Sequence, residues 1–159
     1  MKTTIVCVGK IKEKFYRDGI AEYSKRLSKY TTLNIVEVSD EKTKENLTDN
    51  EKDKILETEG ERILSKIPES SFVITLDIKG KKYDSVEFSN FIESQMNQGN
   101  SHLVFVIGGS LGLSKDVKQR ANASISFSDM TFPHQLMRVI LLEQIYRGFR
   151  IMRNEPYHK

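Results

Sequence analysis

Residues 102–107, His-Leu-Val-Phe-Val-Ile, set five apolar side chains in a row and run straight into Gly108-Gly109-Ser110-Leu111-Gly112. A strand that is apolar on both faces has to be covered on both. Such strands belong to the interior of parallel sheets flanked by helices. The rest of the chain supplies the partners. Residues 3–8, TTIVCV, 33–38, LNIVEV, 71–77, SFVITLD, and 124–128, SISFS, are β-branched or apolar runs that read as further strands. Between them lie segments with helical spacing. Tyr16, Ile20, Tyr23, Leu27 and Tyr30 place a helix over about 15–30, and Ile55, Leu56, Ile63, Leu64 and Ile67 place another that Pro68 ends. Ten charges in fifteen positions over 40–54 read as a loop leading into that second helix. Lys79-Gly80-Lys81-Lys82 reads as a turn. Asp84 with Glu87 is a capping-box pattern for a third helix, carrying Phe88, Phe91, Ile92 and Met96 and stopped by Gly99-Asn100. Ser114 caps a short fourth helix, and a long one runs from about Pro133 to Arg153. Five alternations of strand and helix predict an α/β fold: one domain, a mostly parallel sheet, helices on both faces.

The length of 159 residues suits one domain and allows a core without disulfides or a metal. Cys7 is the only cysteine, which fits a reducing, cytoplasmic setting. No apolar run approaches the roughly 20 residues of a membrane span, and the amino-terminal run is too short for a secretory signal. Formal net charge is only +3, but its distribution is uneven. Residues 1–30 carry eight Lys/Arg against three Asp/Glu, residues 40–61 nine acidic against four basic, and residues 132–159 five Lys/Arg against two Glu. The basic ends either meet in one surface for a polyanion or are ordinary solvated helix faces.

Ligands of open parallel sheets bind beyond the carboxyl ends of strands. Three such ends stand out: Leu76 to Gly80, Ile107 to Gly112, and Phe127 to Pro133. Glycines in the middle one let backbone approach a ligand with its N–H groups exposed. No GK[ST] follows them, so a Walker loop is absent. A nicotinamide-dependent oxidoreductase is the runner-up, because Asp129 follows Gly109 by twenty residues, where a ribose-binding acid would stand. Against it, the spacing is GGxxG and only one helix remains after Asp129. His102, His134 and His158 are scattered and one cysteine makes no zinc site, so no metal is expected. Ser110 lies in GGSLG, which departs from the nucleophile elbow of hydrolases.

FVIGGSLGL at 105–113 and SFSDMTFPHQLMRVILLEQIYRGFRIMRNEPYHK at 126–159 closely resemble the RlmH (YbeA-like) family of SPOUT methyltransferases. The likeness extends over the whole chain. One departure is Ser110-Leu111, where many members carry Ala-Asp or Pro-Glu. The resemblance implies an α/β domain with a deep C-terminal trefoil knot, knot loops that bind S-adenosylmethionine, and a homodimer. It implies methylation of N3 of a pseudouridine in helix 69 of 23S ribosomal RNA on the assembled 70S ribosome. Carried onto this sequence, cofactor contacts fall on Leu76, Gly108, Phe127, Ser128, Asp129, Met130, Thr131 and Phe132. A ribosome-binding protein that keeps the pocket without catalysis is a third, non-enzymatic reading.

A uracil-type N3–H must lose its proton as it is alkylated. His158 is the best base by chemistry, in a tail that could close over the acceptor, and Tyr157 could stack on that base. Solvent is the alternative proton acceptor. Leu76, Leu113 and Met130 are candidates to sandwich an adenine. Arg138, Arg147, Arg150 and Arg153 could neutralise RNA phosphates, unless they pair within the helix, as Glu143 and Arg147 can at i,i+4. His134 reads as an ordinary first-turn residue. In a dimer, one subunit's tail could reach the other's pocket.

Overall fold

A computed structural model describes residues 1–159. Strand and helix alternate as β1 (Lys2–Val8), α1 (Lys14–Leu27), β2 (Thr32–Val38), α2 (Asp49–Leu64), β3 (Phe72–Lys82), α3 (Ser85–Asn97), β4 (His102–Ile107), α4 (Lys115–Arg120), β5 (Ala123–Ser126) and α5 (His134–Met152). The five strands form one sheet in the order β2-β1-β4-β3-β5, and every pairing is parallel. The central strands divide their side chains by parity. Ile5, Cys7, Leu103, Phe105 and Ile107 enter one core with α1, α3 and α5. Val6, Val8, Val104 and Val106 enter a second with Ile63 of α2 and Val117 of α4. This is why Ile5 to Val8 of β1 and Leu103 to Ile107 of β4 are unbroken apolar runs: each side chain of the period-2 strand meets a helix layer whichever way it points.

Three expectations about the elements need correction. The charged run at 40–54 is not all loop. Helix α2 starts at Asp49, because Thr48 and Glu51 close a capping box and both Asp49 and Glu51 sit in the first turn, where the helix dipole favours acids. Lys79 to Lys82 is not a turn either. Strand β3 continues to Lys82, and Ile125 of β5 pairs with Leu76 and again with Lys81. The four residues between them, Asp77 to Gly80, loop out of the ladder. Gly80 is required there, since a Cβ on it would stand 2.6–2.8 Å from the Ile125 backbone.

Strand β5 is also shorter than expected and stops at Ser126. Ser126 Oγ donates to the Ser128 carbonyl at 3.1 Å, and Met130 N–H donates to Ser128 Oγ at 2.9 Å, which turns the chain off the sheet. Helix α5 then returns from this edge to pack on α1 and α3 and against β4. Gly148 admits α3 closely, with its carbonyl accepting from Ser89 Oγ at 2.7 Å. No helix is long and apolar enough to cross a membrane.

Candidate active site

The carboxyl ends of β3, β4 and β5 surround a cavity of about 450 Å³. That is within the range of small-molecule sites. Its walls are the β3 excursion (Leu76 to Lys79), the glycine loop (Ile107 to Leu113), the β5 exit (Ile125 to Ser128, Met130 to Phe132), and Lys118, His134 and Met137. The glycine loop is held by its own backbone. Gly112 N–H donates to the Gly109 carbonyl at 3.1 Å, and Gly112 takes a φ of +91°, a region that favours glycine. At Gly108 a Cβ would lie 2.4 Å from the Gly112 carbonyl oxygen, so the loop closes only round a residue without one. Behind the loop, a Cβ on Gly60 of α2 would stand 2.3 Å from Ser114 Oγ, so the bare helix face lets the loop's far end seat.

Of the expected cofactor contacts, Leu76, Gly108, Phe127, Ser128, Met130, Thr131 and Phe132 all line the cavity, as does Leu113. Asp129 does not. Its side chain is 80% exposed and pairs with Lys82 at 2.5 Å, because the turn at Ser128 swings it outward. This also removes the acid on which the nicotinamide reading depended. The carboxylate that does line the cavity is Asp77, with Lys118 Nζ at 3.4 Å. Sequence reasoning set Asp77, Ile78 and Lys79 at a ligand-binding strand end but gave none of them an individual contact, because the excursion that carries them follows from a long-range pairing with Ile125. It also gave His134 no role at the site. His134 is half-buried on the cavity wall, and burial, reinforced by Arg138, lowers its pKa. It is therefore an uncharged imidazole at neutral pH.

The four arginines separate. Arg138 is withdrawn as a phosphate contact: it is 2% exposed, and it donates to Glu37 at 2.6 Å and to the Val8 and Gly9 carbonyls at 3.1 and 2.7 Å. It ties the start of α5 to the end of β1. Arg147 pairs with Glu143 at 2.6 Å, the intrahelical alternative. Arg150 pairs with Glu155 at 2.5 Å and donates to the Pro156 carbonyl at 2.8 Å. Arg153 is exposed, forms no ion pair and lies 4.8 Å from the Tyr30 ring centroid.

The C-terminal tail is not a loose lid over its own chain's cavity. Tyr157 donates to Glu143 Oε1 at 3.0 Å, stacks edge-on to Tyr146 at 4.9 Å and lies under the Arg147 guanidinium at 4.7 Å. Burial and the Glu143 carboxylate push its hydroxyl pKa up, so it remains a donor. His158 Nδ1 is 3.1 Å from Arg147 Nη1. Glu143 and Arg147 lie about 14 and 20 Å along the helix from His134, at 1.5 Å per residue. Neither Tyr157 nor His158 lines the cavity of this chain.

A backbone-walled pocket at the tips of a parallel sheet, with the last helix led back across that sheet, defines a class. The family profile described as "Predicted SPOUT methyltransferase" matches residues 1–158. A relative from Carboxydothermus hydrogenoformans, "Ribosomal RNA large subunit methyltransferase H", is 59% identical over 159 residues, with all of both chains covered. The chain belongs to the SPOUT methyltransferases and, within them, to the RlmH family. A solved structure, "The structure of a probable methylase family protein from Haemophilus influenzae Rd KW20", matches 99% of this chain and 70% of that one with a TM-score of 0.55 at 10% identity, a likeness of fold. The α/β domain with its C-terminal trefoil knot is the architecture of this family.

Members of the family use S-adenosylmethionine. The residues present fit it. The cavity is large enough, Gly108 and Gly109 line it with bare backbone, Leu76 and Leu113 offer apolar walls, and Asp77 supplies a carboxylate for a cation.

Proposed function

We propose that this protein methylates N3 of a pseudouridine in helix 69 of 23S ribosomal RNA, on the assembled 70S ribosome in the cytoplasm, as a homodimer with S-adenosylmethionine as donor. The observation that carries this reading is the cavity walled by three strand tips, in a chain 59% identical end to end to a protein named for large-subunit rRNA methylation. The bound donor supplies an electrophilic methyl group on a sulfonium. This chain's residues do the rest. Backbone groups of the glycine loop and of Phe127, Ser128, Met130, Thr131 and Phe132 would hold the adenosyl part, and Asp77 would supply a carboxylate for the positive charge. Alignment is the larger contribution, since fixed orientation can supply about 7–11 kcal/mol.

His158 and Tyr157 complete the site in trans. The tail is ordered by Glu143, Arg147 and Arg150 along α5, away from its own cavity. Leu136, Val139 and Ile140 of the same helix are only partly covered. A second copy laid along this helix would cover them and bring its tail to the cavity. His158 then takes the N3 proton and Tyr157 stacks on the acceptor base. Arg147, Arg150 and Arg153 face the RNA, which requires the first two to exchange their carboxylate partners for phosphate.

The test is labelled S-adenosylmethionine with 70S ribosomes lacking the modification, beside free 23S rRNA. Label in helix 69 of ribosomes, and little in free rRNA, is expected. No label at saturating donor refutes the activity. Calorimetric titration should show micromolar S-adenosylmethionine binding and none for NAD. Truncation after Glu155 should abolish transfer and spare donor binding, and unchanged turnover would remove His158 and Tyr157 from the mechanism.

A further inference from the structure

The loop from β1 to α1 carries a surface that neither the fold nor the donor pocket explains. Phe15 is 67% exposed in the first turn of α1. A large aromatic so placed gains little from burial. Lys10, Lys12, Lys14 and Arg17 surround it in sequence, and all are exposed. Lys14 pairs with exposed Asp18 at 2.8 Å, while Lys10, Lys12 and Arg17 form no ion pair. The first turn of α1 holds no acidic residue and its N-cap Glu13 makes no side-chain cap. Lys14 and Arg17 there oppose the helix dipole. The i,i+4 pair with Asp18 accounts for Lys14, but helix stability accounts for neither Arg17 nor the aromatic. The Phe15 and Tyr16 ring centroids lie 4.2 Å apart with their planes tilted by 46°, so two aromatic rings share this site.

The segment is held next to the cavity. Ile11 N–H donates to Glu37 Oε2 at 3.3 Å, and Arg138 donates to the Gly9 carbonyl. A Cβ on Gly9 would lie 3.9 Å from His134 Nε2, and His134 is cavity wall. Phe15 is six residues from Gly9, a span of at most about 20 Å. An exposed ring among unpaired cations is the arrangement that stacks an unpaired nucleobase and tracks its backbone.

We infer that Phe15 is a stacking platform for an unpaired RNA base flanking the methylated one, with Lys10, Lys12 and Arg17 on adjoining phosphates. This rests on the reading of the substrate as ribosomal RNA. A second copy of this chain is the rival occupant, and it is disfavoured because a symmetric contact through this loop would bring the same cations together.

The experiment compares wild type, Phe15→Ala, Phe15→Trp and a Lys10→Ala/Lys12→Ala/Arg17→Ala triple variant on unmodified 70S ribosomes. The readouts are kcat/KM for ribosomes, calorimetric donor affinity and sedimentation. Stacking worth about 1–3 kcal/mol per base predicts a roughly 5- to 150-fold loss of kcat/KM in Phe15→Ala. Donor affinity and mass should be unchanged, and Phe15→Trp should restore the rate. The triple variant should lower the slope of log kcat/KM against log salt by about 2. A Phe15→Ala kcat/KM within twofold of wild type, or a mass that halves, overturns the proposal. Wild type that methylates no ribosome overturns the substrate reading, and the platform with it.

Discussion

Arg138→Met separates a structural arginine from an RNA contact. The side chain is 2% exposed and spends its donors on the Val8 and Gly9 carbonyls and on Glu37. Methionine fills much of the stem volume, so the cavity term is small. Two buried carbonyls lose their donor, each at about 1–3 kcal/mol. The Glu37 side chain is 38% exposed, so water recovers most of that loss and the pair adds about 1 kcal/mol at most. The expected cost is about 2–7 kcal/mol. For a chain of this size that is a fall in Tm of about 5–25 °C. Calorimetric melting at fixed protein concentration, with and without donor, is the assay. Donor affinity should also fall, because the lost bonds join β1 to the helix that carries His134 and Met137. A Tm within 2 °C of wild type, with weakened ribosome binding, would refute the reasoning and return Arg138 to the phosphate contacts.

Gly108→Ala should lower donor affinity at least tenfold by calorimetry, since the new Cβ would stand 2.4 Å from the Gly112 carbonyl and the loop must open. Tyr157→Phe removes the hydrogen bond to Glu143 while keeping the ring, and should cut single-turnover methylation several-fold with donor binding unchanged. Glu59→Gln should raise stability at pH 7, measured by urea unfolding. Burial raises the Glu59 carboxyl pKa, so folding favours its protonated form. Its stabilising contribution is then present below the unfolded value of about 4.3 and is lost as pH rises through the folded one. The gain of the glutamine, which still accepts from the Glu41 N–H that meets Glu59 at 2.9 Å, should vanish near pH 4.

Element type was legible because period-2 and helical runs are local. The wholly apolar 103–107 run implied cover on both faces, and both cores are there. The pocket was legible from glycine chemistry and the rule that ligands bind at strand ends. The looped-out ladder at Asp77 to Gly80 was not. Its cause is a long-range pairing of Ile125 with both Leu76 and Lys81, and Lys-Gly-Lys-Lys looks the same in a turn. Asp129 was misplaced for the same kind of reason: a serine-capped turn one residue earlier decides which way it points.

Sequence alone determined the alternation of strands and helices, the apolar interior and the glycine loop, because propensity and hydrophobic period act over a few residues. Tertiary structure alone decided which charges are spent and which are free. Arg138 and Arg153 stand fifteen residues apart on one basic segment, yet the first is buried against the Val8 and Gly9 carbonyls at the end of β1 and the second is open to solvent. Whether a cation meets water or a backbone acceptor depends on what packs beside it, and that neighbour lies 129 residues away in the chain for Arg138 and Gly9.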